Sequence, residues 1–107
     1  MRSLHLHPQV YADIEEVLAY TAERLGPRQV RTYADLIIEA QTRLRQQPTL
    51  GTRRDDIRRG MRVYSIAKPG KRAAHGYIYR VTDDNVIEVV RLVHLARYLP
   101  DLLPEDV

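Results

Sequence analysis

The chain has no cysteine, no tryptophan and no phenylalanine among its 107 residues. Lack of cysteine excludes disulfides, thiolate metal sites and a cysteine nucleophile. It suits a reducing compartment, and the cytoplasm is the expected location. The seven tyrosines are the whole aromatic complement. Any aromatic ring that enters the core must therefore bring a hydroxyl to water or to a partner. No stretch approaches the roughly 20 apolar residues of a membrane span. No N-terminal apolar run marks a secretory leader. Internal repeats and low-complexity segments are absent as well. The length fits a single domain over residues 1–107, with a core over 1–97 and a tail over 98–107.

What is there begins with an uneven distribution of charge. Residues 1–52 carry six basic and six acidic side chains, and residues 53–97 carry eleven basic against five acidic. The last ten residues carry three acidic side chains and no basic one. The surplus of positive charge thus belongs to one region. Such a region attracts phosphate or acidic protein, or simply keeps a face solvated, and charge alone does not choose between these.

Leu4-His5-Leu6-His7 alternates up to Pro8 and predicts a short strand. Val10, Ile14, Val17, Leu18, Thr21 and Leu25 then recur at helical spacing, with Asp13, Glu16, Glu23 and Arg24 mostly off that stripe. Gly26-Pro27 ends one helix and begins another. The second helix carries Val30, Ala34, Ile37, Ile38 and Leu44, with Tyr33 flanking, and ends near Gln46-Gln47, before Pro48. So short a connection predicts an antiparallel helical hairpin.

Strands are predicted over Met61–Ile66, His75–Val81 and Val86–His94, separated by Lys68-Pro69-Gly70-Lys71 and Thr82-Asp83-Asp84-Asn85. In the first, Met61, Val63 and Ser65 face one way and Arg62, Tyr64 and Ile66 the other. In the last, strict alternation sets Ile87, Val89 and Val93 against Val90 and Leu92. The tail from Arg97 is expected to be extended or weakly helical. The resulting class is α+β in the order β-α-α-β-β-β. An antiparallel sheet of three to four strands takes the first strand at its edge, and the helical hairpin covers one face. The other face is expected to be partly open.

Arg62, Arg80 and Arg91 sit beside or within the three later strands. Arginine there is costly unless paired, so they form either ion pairs or one positive face. His5 and His7 share a strand face, but no third metal ligand lies within reach in the sequence, and neither a metal nor a cofactor is expected. Arg53, Arg54, Arg58 and Arg59 crowd one loop, and Lys68, Lys71 and Arg72 crowd the next. These have the strongest claim to contacts with a partner.

Several short motifs in this order resemble the RelE/ParE superfamily of type II toxin–antitoxin toxins, in its ParE-like branch. They are the first-helix segment Asp13-Ile14-Glu15-Glu16-Val17-Leu18-Ala19-Tyr20 followed by Gly26, Pro48-Thr49-Leu50-Gly51, Gly60-Met61-Arg62, Tyr79-Arg80, and Arg91-Leu92-Val93-His94. The resemblance runs to about Arg97. The long basic turn from Ala67 to Gly76 and the tail depart from it.

The resemblance implies one of two activities. ParE-like members block DNA gyrase and are not known as nucleases. RelE-like members cut mRNA on the ribosome. On the first reading Arg53, Arg54, Arg58, Arg59, Arg62, Lys68, Lys71 and Arg72 contact gyrase. A ParD-like antitoxin, a ribbon-helix-helix protein, covers Val10, Ile14, Leu18, Tyr33 and Ile37. On the second, His94 serves as base or acid, Arg62, Arg80 and Arg91 surround the phosphate, and Tyr98 stacks or donates a proton. The loop before the first hairpin strand has arginines but no lysine, and arginine is a poor general base. The favoured expectation is a non-enzymatic gyrase poison.

Overall fold

The computed structural model describes all 107 residues. Its elements are β1 (Leu4–Leu6), α1 (Pro8–Leu25), α2 (Pro27–Gln46), β2 (Thr52–Arg53), β3 (Arg62–Ile66), β4 (His75–Val81) and β5 (Ile87–His94), then a short 3-10 helix (Leu99–Leu102). The strands form one sheet in the order β1-β5-β4-β3-β2. β3, β4 and β5 are antiparallel neighbours, whereas β1 runs parallel to β5. The sheet is therefore mixed and five-stranded, which corrects the expected three to four antiparallel strands. The extra strand, Thr52–Arg53, is too short to show a period.

Local chemistry explains the helical hairpin. The His7 ring accepts a hydrogen bond from the Gln9 N–H at 3.0 Å and caps α1, with Pro8 in the first turn. Gly26 has φ 85°, so one residue closes α1 and hands over to Pro27 at the start of α2. The two helices lie on one face of the sheet, where Val10, Ile37, Ala40 and Leu44 pack on Tyr77, Tyr79, Ile87, Val89 and Leu92.

Two buried tyrosines resolve the hydroxyl problem posed by the composition. The Tyr77 hydroxyl donates to the Ile37 carbonyl at 3.2 Å and accepts from the Gln41 amide at 3.0 Å. Burial pushes its pKa up to about 12. The Tyr79 hydroxyl donates to the Pro48 carbonyl at 2.6 Å and accepts from the Gly51 N–H at 2.8 Å.

The opposite face is not open as expected. The loop after β2 and the tail fold across it, and Ile57, Met61, Val63, Ile78, Val90, Val93, Leu99 and Leu102 form a second core there. The tail is thus a structural cover. A register shift between Ile78 and Tyr79, opposite Val89 to Arg91, reverses the alternation in β5. Leu92 joins Ile87 and Val89 under the helices, and Val93 joins Val90 on the far side. Strict alternation had placed Leu92 and Val93 on the wrong faces. No helix is long and apolar enough to cross a membrane.

Candidate functional site

The three strand arginines do not make one positive face. Arg91 donates to Asp13 through Nε at 2.8 Å and Nη2 at 2.9 Å, and to the Leu102 carbonyl at 2.7 Å. Arg80 pairs with Glu88 across the β4–β5 ladder at 2.7 Å. Arg62 donates to the Gly51 carbonyl at 2.8 Å and lies close to that of Thr49. Each guanidinium is spent on a different structural task, so the set proposed to surround a phosphate is not brought together.

Asp13 was placed off the buried stripe, yet it is only 4% exposed. The sequence did carry the signal. Asp13 lies three residues after Val10 and four before Val17, which is the spacing of the buried face.

The basic loop is ordered from within. The Arg54 N–H donates to the Met61 carbonyl at 2.8 Å, and Ile57 and Met61 anchor the loop in the second core. Gly60, with φ 86°, donates its N–H to Asp55 at 3.0 Å. That bond is the main cause holding the Asp55 carboxyl below its usual pKa, with Arg53 contributing. Arg53 pairs with Asp55 at 3.0 Å and Arg54 with Asp56 at 2.8 Å. Arg58 donates to the Val107 carbonyl. Arg59 has no hydrogen-bond or ion-pair partner, and the Arg58 and Arg59 side chains project into solvent. The outward positive edge is thus narrower than the sequence implied.

A cleft of about 550 Å³ opens between α1, the start of α2 and the ends of β3, β4 and β5. Lys68, Lys71, Arg72 and Arg97 line it, with His75 and His94. His75 faces His94 across the ladder, their ring centroids 5.1 Å apart in an edge-to-face arrangement. The Tyr33 hydroxyl lies 2.6 Å from Nδ1 of His75. Burial, and to a lesser degree His94, lowers the His75 pKa, while burial raises that of Tyr33. Sequence reasoning singled out His94 and missed His75, although both end paired strands. Tyr98 lies beyond the strand end and is 71% exposed.

Of the residues expected to meet an antitoxin, Val10 and Ile37 are sealed in the core, at 0% and 1% exposure, and cannot be surface contacts. Ile14, Leu18 and Tyr33 are half-buried. The outward apolar side chains of the hairpin are instead Tyr11, Tyr20, Leu25 and Ile38. His5 is exposed, and His7 is bound to Asp106 at 2.9 Å. No group of three or more His, Cys, Asp or Glu side chains comes close enough to hold a metal ion.

Comparison with known proteins agrees with the motif resemblance. Residues 4–98 match the family model described as the ParE toxin of the type II toxin–antitoxin system parDE. Toxin ParE1 from two strains of Mycobacterium tuberculosis, CDC 1551 and H37Rv, is 34% identical over 89 residues, covering 83% of this chain and 85% of theirs. A solved chain from the chromosomal ParDE system of P. aeruginosa superposes with a TM-score of 0.71. It shares 21% identity, with 88% of this chain and 96% of that one covered, and attests the fold.

Proposed function

The chain belongs to the ParE toxin family of type II toxin–antitoxin systems, and from that premise we propose that it inhibits DNA gyrase by protein–protein contact. A ParD-like antitoxin neutralises it. The observation that carries the non-enzymatic reading is the disposition of Arg62, Arg80 and Arg91. Phosphodiester cleavage by this set needs the three gathered around the developing charge, and each is instead bonded to a carbonyl or carboxylate at a separate place. Arg59, Lys71 and Arg72 are exposed and unpaired, and Arg58 is exposed with a single bond to the terminal Val107 carbonyl, so this edge can meet a macromolecular partner. The antitoxin's apolar segment lies on Tyr11, Tyr20, Leu25 and Ile38, with Ile14 and Leu18 beneath.

The test is induced expression with chromosome breakage and protein synthesis scored side by side. Breakage with translation intact supports the reading, whereas arrested translation with an intact chromosome rejects it. Ribosome-dependent mRNA cleavage is the second reading, favoured by the exposed His94 imidazole beside Arg97 at the cleft mouth. It requires His94→Ala to abolish toxicity.

A further inference from the structure

The cleft between the helical hairpin and the β4–β5 end holds two imidazoles and an apolar wall that the gyrase reading does not use. Its two sides differ. Val17, Leu25 and Leu92 offer an apolar wall, while Lys71, Arg72 and Arg97 form a cationic rim without ion-pair partners. Two carboxylates also face the cleft. Asp13 is spent on Arg91, and Glu16 stands on α1.

Hydrogen-bond accounting fixes what the two imidazoles present. The Ala96 N–H donates to Nδ1 of His94 at 3.1 Å, so the neutral ring carries its proton on Nε2. Nδ1 of His75 is engaged by the Tyr33 hydroxyl, a neutral donor at physiological pH. Nε2 of each ring makes no hydrogen bond within the chain. Two imidazole edges and three unpaired cations therefore share a cleft large enough for a small ligand.

We propose that this cleft binds a nucleoside phosphate. The phosphate sits among Lys71, Arg72, Arg97 and the two imidazole edges, and the sugar and base lie against Val17, Leu25 and Leu92. The rim selects against an uncharged nucleoside, and the apolar wall selects against bare phosphate. The site shares Lys71 and Arg72 with the gyrase reading, but binding is measured on the toxin alone, so the two tests stand apart.

The experiment follows the histidine side-chain resonances of the full chain by NMR as ADP, adenosine, pyrophosphate or a 5′-phosphorylated tetraribonucleotide is added. The proposal expects ADP to shift the His75 and His94 signals saturably, with adenosine and pyrophosphate each at least about tenfold weaker. Lys71→Ala with Arg72→Ala weakens ADP by about tenfold or more and leaves the melting temperature unchanged. Both residues are exposed, so the variant is not expected to unfold, and His94→Ala gives a second exposed probe. No saturable shift with ADP overturns the proposal. So does pyrophosphate binding as tightly as ADP, or an oligonucleotide that binds where ADP does not. Gyrase inhibition can fail or succeed without altering any of these outcomes.

Discussion

Asp13 on α1 holds Arg91 on β5 by a two-pronged ion pair, at 2.8 and 2.9 Å, just where β1 stops covering that edge of the sheet. The same carboxylate accepts the Leu92 N–H at 3.0 Å, so one side chain replaces the missing strand. Removing it leaves the half-buried guanidinium with the Leu102 carbonyl alone and a buried N–H without a partner. Asp13→Ala is expected to cost about 3–5 kcal/mol, the range for breaking one side of a buried pair. Urea unfolding measures it, and a loss below about 1 kcal/mol would show the pair to be a surface contact in effect.

Tyr79 joins three of the motifs. Its hydroxyl clamps the Pro48–Gly51 loop, and Arg62 donates to the Gly51 carbonyl. A Cβ on Gly51 would lie 2.6 Å from that hydroxyl. Gly51→Ala therefore displaces either the loop or the ring. Tyr79→Phe removes both hydroxyl bonds and is expected to cost about 1–3 kcal/mol, since the buried Pro48 carbonyl and Gly51 N–H lose their partner. Thermal or urea unfolding checks both, and a Gly51→Ala variant as stable as the wild type contradicts the clamp.

The tail is predicted to be part of the folded core. Leu99 and Leu102 are 3% and 9% exposed against the far face of the sheet. Leu102→Ala is expected to cost about 2–5 kcal/mol. A chain ending at Arg97 should bind a hydrophobic dye that the full chain does not. Equal dye binding by both would show the tail to be dispensable.

Acid should weaken the fold through His75. Its folded pKa is lowered by burial and by His94, whereas the unfolded chain titrates near the ordinary value of about 6.5. The unfolded state therefore takes up the proton more readily. The stability contributed by the neutral ring is full above that value and is lost as pH falls toward the depressed folded one. Urea midpoints should rise from about pH 5 to about pH 7.5, and His75→Asn should flatten the rise. An unchanged slope in the variant would assign the effect to other groups.

Much of this was legible in the sequence because most of it obeys local periods. The helical hairpin, the strands from Arg62 to His94 and the family motifs all follow spacing and turn chemistry. Apart from Asp13, whose spacing was local, and the two-residue strand, the misreadings trace to contacts between segments distant in sequence. Strict alternation could not see the irregularity opposite Ile78 that reverses Leu92 and Val93. Arg91 looked like a member of a cationic rim because Asp13 lies 78 residues away. The pairing of His75 with Tyr33 joins residues 42 apart and leaves no pattern in a window of either. Val10 and Ile37 were read as surface contacts because a helical stripe does not reveal whether the sheet or a partner covers it.

The central claim is that the toxin acts by touching gyrase and performs no chemistry itself. Titrating the purified protein into a DNA gyrase supercoiling assay tests it most directly. The account predicts dose-dependent loss of supercoiling or trapped cleaved DNA, retained by His94→Ala and weakened by Arg58→Glu with Arg59→Glu. Full supercoiling at every dose, from protein that nonetheless halts translation, would contradict it.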